Sequence, residues 1–335
     1  MRIGILGGGQ LGRMLALAGH PLGMWFRVLE PAAECPAAAV AEHDRGEFES
    51  YQALFAFCQG LDAVTYEFEN VPIESARWLA ERVPVFPTPR ALEIGQDRIA
   101  EKVFFQELGV AVPPFAAVSS RADLDAAIDR IGLPAVLKTT RFGYDGKGQA
   151  VIQSRADIET VWATLGGRPL VLEGFVPFER ELSILAVRGR TGELAFYPLV
   201  ENIHRSGILR VSTGPANGVS WELQAKAEGI ARKALEALEY VGVLAVELFQ
   251  AGDDLLVNEM APRVHNSGHW TIEGAETSQF ENHLRAIAGL PLGSTAAVGQ
   301  SVMINLIGGW PDPAAVLAIP GAHLHLYGKR PRPNR

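Results

Sequence analysis

One stretch, residues 133–149, constrains this chain more than any other. A short apolar run at 135–137 ends at Lys138 and leads into a loop with three glycines, after which a second apolar run begins at Ala150. The pattern predicts a hairpin whose loop closes over phosphate groups, because glycines let backbone N–H groups approach oxygens closely and lysines supply positive charge. The spacing is not that of a Walker A loop. On these residues alone, an ordinary glycine-rich hairpin with solvent-exposed lysines remains an alternative.

The first part of the chain alternates between strand and helix patterns. A strand at 2–6 leads through a glycine-rich turn at 7–12 into a helix at 13–18. Three further strands are predicted, at 26–29, 63–67 and 84–86. This alternation predicts a doubly wound, Rossmann-like parallel sheet over roughly the first 95 residues.

The rest of the chain predicts an α/β fold with more antiparallel pairing. Helices are expected at 91–108, 124–131, 158–165 and 223–238, and strands at 135–138, 150–152, 170–172, 181–188, 194–201, 208–212, 242–249 and 255–260. The turn between the last two strands predicts a hairpin, and the Pro- and Gly-rich stretch after Gly289 predicts a small β-rich closing domain. The predicted domains are therefore 1–97, 98–288 with a lid subdomain near 113–175, and 289–335.

Composition and charge narrow the classes of partner. The chain is 48% hydrophobic and carries a net charge of −8, so an overall basic surface for nucleic acid is absent. Two cysteines make neither a disulfide framework nor a CxxC motif, which favours a cytoplasmic setting. No apolar run approaches the roughly 20 residues of a membrane span, and the first strand leaves no signal-peptide layout. Small molecules are the expected partners, with no nucleic acid and no membrane.

The turn Gly7-x-Gly9-x-x-Gly12 matches the dinucleotide fingerprint. It follows a strand, opens a helix and has Glu30 roughly 20 residues further on, which favours NAD binding. A tight turn at a helix N-terminus also suits another anion, such as the 5′-phosphate of a ribonucleotide. A turn that holds no ligand is the third interpretation.

Carboxylates end several of the predicted strands. Glu67 and Glu69 lie at the end of the strand predicted at 63–67, at the carboxyl edge where ligands bind in parallel sheets. Glu173 ends another strand, and the backbone after it would suit an adenine edge, with Glu181 further on for a ribose. Glu67 and Glu69 are also explained as capping or surface groups, and for the segment after Glu173 an ordinary strand end is the preferred interpretation from these residues alone.

Glu247 and Glu259 lie in two apolar strands that are expected to pair. If the strands are antiparallel, the two carboxylates face each other and repel unless a cation lies between them. Mg²⁺ bound to nucleotide phosphates is the natural cation, because it takes one or two carboxylates together with phosphate oxygens. Two surface carboxylates on an edge hairpin are the alternative.

The loop after this hairpin contains Arg263 and two histidines, His265 and His269, spaced four apart. That spacing would suit zinc on a helix, but the Asn-Ser-Gly sequence between them disfavours a helix. A polar loop that contacts substrate, with an arginine that neutralises phosphate, is the preferred interpretation. His204 by itself is interpreted as a structural residue.

Taken together, these features resemble the ATP-grasp enzymes and, among them, the N5-carboxyaminoimidazole ribonucleotide synthetases of purine biosynthesis. The matching segments are Gly-Gly-Gly-Gln-Leu-Gly-Arg-Met at 7–14, Glu-Phe-Glu-Asn-Val at 67–71, Gln-Asp-Arg at 96–98, Gly-Tyr-Asp-Gly-Lys-Gly-Gln at 143–149, Phe-Glu-Arg-Glu-Leu-Ser at 178–183 and Asn-Glu-Met-Ala-Pro-Arg-Val-His-Asn-Ser-Gly-His at 258–269. The last segment and the Gly-Tyr-Asp-Gly block are specific, whereas the first is shared with many folds. The family usually continues with a Lys-x-Gly-His segment beyond the point where this sequence stops, so a trimmed C-terminal domain is expected.

The resemblance implies a role for each matching residue. ATP would be bound by Arg98, Lys138, Gly143, Tyr144, Asp145, Gly146, Lys147, Gly148, Gln149, Glu173, Gly174, Phe175, Val176, Glu181, His204, Asn258 and Glu259. Mg²⁺ would be bound by Glu247 and Glu259. Aminoimidazole ribonucleotide would be bound by Gly9, Gln10, Leu11, Glu69, His265, Asn266, Lys329 and Arg332. Arg263 would steady bicarbonate or the transferred phosphoryl group, with Lys138 as the second catalytic group.

The resemblance further implies an ATP-dependent ligase that carboxylates aminoimidazole ribonucleotide with bicarbonate, releases ADP and phosphate, and forms a homodimer. The first alternative is another ATP-grasp purine enzyme, such as the formate-dependent glycinamide ribonucleotide transformylase. The second is an NAD-dependent oxidoreductase that relies on the glycine-rich turn. A nucleotide-binding regulatory protein without turnover is the third.

Overall fold

The computed structural model describes residues 1–143 and 147–328 of the chain. Its strands are β1 (Arg2–Leu6), β2 (Trp25–Leu29), β3 (Glu42–Asp44), β4 (Ala63–Tyr66), β5 (Phe115–Val118), β6 (Ala135–Thr139), β7 (Gln149–Ile152), β8 (Leu170–Gly174), β9 (Arg180–Arg188), β10 (Leu194–Phe196), β11 (Val200–Arg205), β12 (Ile208–Gly214), β13 (Gly242–Ala251), β14 (Asp254–Ala261) and β15 (Ser301–Ile304). Its helices are α1 (Gln10–Gly19), α2 (Tyr51–Cys58), α3 (Ile73–Ala80), α4 (Pro89–Gly95), α5 (Arg98–Glu107), α6 (Arg121–Ile131), α7 (Ile158–Leu165), α8 (Trp221–Ala237), α9 (Thr271–Gly274), α10 (Gln279–Ala288) and α11 (Pro313–Leu317). Within the described ranges, no helix has the length and apolar character needed to cross a bilayer.

Contacts divide the chain into two units, Met1–Phe86 with Met303–Arg335, and Pro87–Val302. The first unit contains a parallel sheet in the order β3-β2-β1-β4. Strands β1 and β4 are almost entirely buried, which explains their nearly continuous apolar sequence. The doubly wound sheet predicted for the N-terminus is confirmed, except that the segment at 84–86 makes only a single parallel bridge, from Val85 to Val64.

The second unit contains two antiparallel sheets. The smaller, in the order β5-β8-β6-β7, packs α6 and α7 over a core of aliphatic side chains. The larger follows the order β14-β13-β9-β11-β12-β15, with β10 on β9, and its core is shared with α5 and α8. The predicted hairpins β6–β7 and β13–β14 both form.

Three further secondary-structure predictions were wrong. The single helix expected at 91–108 is two helices, because the Asp97 side chain accepts from the N–H groups of Ile99 and Ala100 and caps α5. The single strand expected at 194–201 is two strands, β10 and β11. After Gly289 the described residues include only β15 and α11 as regular elements, so that stretch has less strand than predicted. The three-domain boundaries stay predictions.

Candidate active site

The two carboxylates predicted to hold a cation lie opposite each other. Glu247 of β13 is in direct register with Glu259 of β14, and a bulge follows immediately after Glu247. Opposed residues on antiparallel strands have their side chains on the same face. The Glu247 side chain is 15% exposed and the Glu259 side chain 38%, so the first carboxylate is largely buried and the second is partly open to solvent.

The two carboxylates differ in pKa. Burial, reinforced by the charge of Glu259, raises the pKa of Glu247 to about 7. Burial alone would raise the pKa of Glu259 as well, but the charges of Arg98 and Lys138 lower it to about 2. A divalent cation between them would favour the ionised form of Glu247. The neighbouring Asn258 adds a buried Oδ1 without a hydrogen-bond partner among the described residues. Three oxygen donors of this kind fit Mg²⁺.

Arg98 reaches this carboxylate pair from the first turn of α5. Its backbone N–H donates to the carbonyl of Thr140 at 3.0 Å, which ties the helix to the strand end of β6. Its Nη1 donates to Glu259 Oε2 at 2.6 Å. Burial opposes the charged guanidinium, but the charge of Glu259 outweighs it and raises the pKa of Arg98.

A buried ion triad lies beside this arginine. The carboxylate of Glu173, at the end of β8, accepts from Lys138 Nζ at 2.9 Å and lies 3.2 Å from Lys102 Nζ. Burial would raise the pKa of Glu173, but the two lysines lower it, while burial and Lys138 lower the pKa of Lys102. Because the Glu173 side chain is held here, an adenine contact at this position would use the backbone.

Helix α5 supplies a second buried carboxylate. Glu101 is 3% exposed and accepts from the backbone N–H of Met260 at 2.5 Å. Burial, together with the charge of Glu259, raises its pKa to about 8. Glu101 therefore holds the strand position that follows Asn258 and Glu259.

Glu181 and His204, both predicted to contact nucleotide, lie together on neighbouring strands. His204 Nδ1 is 2.7 Å from Glu181 Oε2. Burial would lower the pKa of His204, but this hydrogen bond and nearby carboxylates raise it. This bond is compatible both with a structural histidine and with a nucleotide contact, so the role of His204 stays a prediction.

The predicted adenine segment and loop are partly described. Phe175 follows β8 and is 46% exposed, and its backbone N–H donates to Pro134 O at 3.2 Å. Gly148 has φ +74°, and a Cβ there would lie 2.8 Å from Thr139 Oγ1, so this turn requires glycine. Gly143, Lys147, Gly148 and Gln149 belong to the described part, whereas Tyr144, Asp145 and Gly146 lie outside it.

The loop after β14 brings His265 to the carboxylate pair. Its Nε2 is 3.4 Å from Glu247 Oε1, and its Nδ1 accepts from the N–H of Ser267 at 3.3 Å. Residues 266–268 form a short 3-10 helix, and the described ranges contain no group of three His, Cys, Asp or Glu side chains that could hold a metal ion. Asn266 has a buried Oδ1 without a hydrogen-bond partner among the described residues, and Arg263 Nη1 donates to Val264 O at 3.0 Å.

In the first unit the glycine-rich turn is closed by a side chain of the protein itself. The Glu67 carboxylate accepts from the N–H groups of Gly9 and Gly12, the latter at 2.7 Å. The expected dinucleotide diphosphate would need the same N–H groups. Gln10 and Leu11 begin α1, and Glu69 follows in the loop after β4, whereas Lys329 and Arg332 lie outside the described residues.

Sequence reasoning assigned no role to Lys102 or Glu101 and did not connect Glu67 with the turn. One signal was available, because Lys102 follows Arg98 by four residues and therefore lies on the same face of a helix. The contact of Glu101 with Met260 and that of Glu67 with the glycine-rich turn join segments far apart in sequence, so no local pattern reveals them.

The site and the fold together are those of an ATP-grasp ligase. The glycine-rich hairpin carries a lysine at its strand end, two carboxylates face each other on β13 and β14, and the N-terminal sheet is parallel. The family models agree, since the ATP-grasp domain matches residues 103–280, the ribonucleotide synthetase preATP-grasp domain residues 1–96, and the phosphoribosylaminoimidazole carboxylase C-terminal domain residues 301–335.

Curated relatives and solved structures narrow the class. N5-carboxyaminoimidazole ribonucleotide synthase of Pseudomonas aeruginosa is 56% identical over 329 residues, which are 98% of this chain and 91% of the relative. The crystal structure of the synthetase from Thermus thermophilus superimposes with a TM-score of 0.96 at 62% identity, covering 99% of this chain and 91% of that one. The synthase from Aspergillus clavatus, in complex with ADP and 5-aminoimidazole ribonucleotide, has a TM-score of 0.93 at 33% identity, covering 100% and 91%. The chain belongs to the N5-carboxyaminoimidazole ribonucleotide synthase family.

Proposed function

We propose that the protein carboxylates 5-aminoimidazole ribonucleotide at its amine, using ATP and bicarbonate and releasing ADP and phosphate. The observation that carries this proposal is the facing pair Glu247 and Glu259, with Arg98 bonded to the second carboxylate and Lys138 beside it. A cation site next to fixed positive charge suits phosphoryl transfer, which needs positioning and charge more than a protein nucleophile.

Bicarbonate is a poor electrophile, so its oxygen must first accept the γ-phosphoryl group. This transfer yields carboxyphosphate and ADP, after which the amine attacks the carbon and phosphate leaves. We assign Lys138 and Arg98 to the phosphates and Arg263 to bicarbonate or the transferred phosphoryl group. The ion triad supports the first assignment, because Glu173 restrains the Lys138 ammonium at 2.9 Å.

Glu247, Glu259 and Asn258 would hold Mg²⁺, which supplies positive charge to the ATP phosphates when bound. The protein's own contribution is to orient these donors. Glu101 holds the Met260 N–H, Arg98 holds Glu259, and His265 lies against Glu247. The contacts of Arg98 and His265 orient the two carboxylates, and the contact of Glu101 holds the strand that carries Asn258 and Glu259.

The remaining site roles are proposed residue by residue. The backbone of Glu173, Gly174, Phe175 and Val176 is assigned to adenine, Glu181 and His204 to the ribose side of the nucleotide, and residues 143–149 to the cover over the phosphates. Gly9, Gln10, Leu11, Glu69, His265, Asn266, Lys329 and Arg332 are assigned to the ribonucleotide. The complex of the Aspergillus clavatus synthase with ADP and 5-aminoimidazole ribonucleotide supports both ligand classes.

Phosphate release from Mg-ATP tests the activity. Release should require both aminoimidazole ribonucleotide and bicarbonate, and replacing bicarbonate with formate should abolish product formation. Release that does not depend on the ribonucleotide would show that the substrate is wrong. Product formation with formate would support the transformylase alternative instead.

The cytoplasmic location and the homodimer are also proposals. Cys35 and Cys58 are both free thiols, which agrees with a reducing compartment. Sedimentation of the purified chain measures the oligomeric state directly. The oxidoreductase alternative loses its main support, because Glu67 takes the N–H groups that a diphosphate would use.

A further inference from the structure

The carboxylate of Glu67 lies where a fingerprint turn would hold the phosphates of a dinucleotide. Glu67 directly follows β4, and its backbone N–H donates to Leu6 O at 3.1 Å, which extends the pairing of β4 with β1 by one residue. Its side chain, in a residue only 8% exposed, meets the N–H groups of Gly9 and Gly12. A negative group at this helix N-terminus is stabilised by the peptide dipoles of α1.

The three glycines of the turn fit this carboxylate. Gly7 has φ +102°, and a Cβ there would lie 2.5 Å from Glu67 Cγ. A Cβ on Gly9 would overlap Glu67 Oε1, and one on Gly12 would lie 3.3 Å from Glu67 Oε2. The glycines are therefore explained by a side chain of the same chain, and no external diphosphate is needed to account for them.

Glu67 also joins two segments that carry residues assigned to the ribonucleotide. The turn leads into Gln10 and Leu11, and the loop after β4 carries Glu69 two residues beyond Glu67. Charged hydrogen bonds from a carboxylate to backbone N–H groups are short and roughly twice as strong as neutral ones. The bond to Gly12 therefore restricts how far the two segments move apart.

We propose that Glu67 is a positioning residue for the ribonucleotide. Its carboxylate locks the Gly9–Gly12 turn to the loop that carries Glu69, and it closes this turn to dinucleotides. This role rests on the proposed function, because the ribonucleotide assignments of Gln10, Leu11 and Glu69 do. Glu67 acts through these neighbours and need not touch the substrate.

Steady-state kinetics of Glu67→Gln and Glu67→Ala test the role. Loss of the charged bonds should raise the KM for the ribonucleotide about tenfold or more in Glu67→Ala and less in Glu67→Gln. The KM for ATP should stay within about twofold, since the ATP assignments belong to other segments. Glu42→Gln is the matched control, because Glu42 is a carboxylate of the same unit that pairs with Arg27 at the surface.

Deuterium exchange of the peptide 7–14 gives a second readout that does not require turnover. Both Glu67 variants should exchange faster than wild type at this peptide, while Glu42→Gln should not. An unchanged ribonucleotide KM, or equal losses for ribonucleotide and ATP, would overturn the positioning role. Unchanged exchange would overturn the lock itself. If wild type shows no ribonucleotide-dependent turnover, the proposed function fails, and the exchange result still decides whether Glu67 locks the turn.

Discussion

Glu247 and Glu259 face each other across two antiparallel strands, yet their surroundings favour opposite protonation states. Glu259 accepts from Arg98 at 2.6 Å, and its pKa is lowered to about 2. Glu247 meets the ring of His265 at 3.4 Å, and burial next to Glu259 raises its pKa to about 7. Glu259 is therefore a permanent anion, and Glu247 ionises fully when a cation binds. Such a pair suits the binding of Mg²⁺ together with ATP.

Removing the fixed anion should remove turnover. Glu259→Gln is expected to reduce phosphate release by about a hundredfold or more, since changes even to the groups around a metal ligand typically cost 10–100-fold. The fold should be retained, because the Glu259 side chain is 38% exposed. Phosphate release and thermal melting measure the two effects separately. Glu236→Gln, at an exposed position on α8, is the control, and turnover of Glu259→Gln at the wild-type rate would contradict a metal role.

Lys102 is expected to stabilise the fold through its buried ion pair with Glu173, a contribution that the sequence did not predict. Lys102→Met leaves the buried Glu173 with only one of its two lysines in the triad, and breaking a buried ion pair typically costs 3–5 kcal/mol. We expect the free energy of unfolding in the absence of nucleotide to fall by about 3 kcal/mol. Urea unfolding measures it, with Lys226→Met as the exposed control.

A double variant separates charge from packing at this triad. If the cost comes from the unpaired carboxylate, Lys102→Met combined with Glu173→Gln should recover part of the lost stability. A double variant as unstable as the sum of its single changes would indicate that packing dominates.

The hairpin β13–β14 shows what the sequence could provide. Two apolar runs on either side of a Gly-Asp turn predicted the hairpin, and antiparallel pairing of these runs predicted that Glu247 and Glu259 face each other, as they do. The same local reasoning missed the break before α5, although Asp97 is a strong N-cap residue, because apolar spacing continues across it.

Contacts between segments far apart in the sequence could not be predicted from local sequence patterns. Glu173 on β8 meets Lys102 on α5 only where the β5-β8-β6-β7 sheet and the helix pack together, so neither residue carries a local signal for the other. The Glu67 carboxylate accepts from the N–H of Gly9, 58 residues earlier, in the place where a ligand phosphate would accept. A turn closed by such a carboxylate and a turn that binds a dinucleotide have the same glycine spacing, so the sequence does not distinguish them.

His283 should make the protein sensitive to mild acid. Burial lowers its pKa to about 4, and its neutral Nδ1 accepts from the Val243 N–H at 3.1 Å. Because the unfolded chain binds this proton near pH 6.5, stability is lost as the pH falls from 6.5 towards 4, by roughly 3 kcal/mol in total. His283→Gln, which keeps an acceptor, should flatten this part of the curve, whereas the exposed His20→Gln should not. Unfolding by urea at pH 7, 6, 5 and 4.5 measures the difference, and equal slopes in all three proteins would contradict it.

Glu101 should act in the opposite pH direction. Burial and the charge of Glu259 raise its pKa from 4.5 to about 8, so the folded protein binds a proton that the unfolded chain releases. The free energy of unfolding should therefore fall as the pH rises from 4.5 through 8. Glu101→Gln imitates the protonated form and keeps an oxygen for the Met260 N–H, so it should melt at a higher temperature than wild type at pH 9 and at a similar temperature at pH 5.

Melting curves in EDTA without nucleotide isolate the effect of Glu101, because a bound cation would change the charge of the neighbouring Glu259. Glu107→Gln, at the exposed end of the same helix, controls for removing a carboxylate from α5. A wild-type pH profile parallel to that of Glu101→Gln between pH 5 and 9 would show that Glu101 is ionised in the folded protein. Stabilisation by Glu101→Gln that grows from pH 5 to about pH 8 and then levels off would show instead that the carboxyl is held protonated beside the cation site.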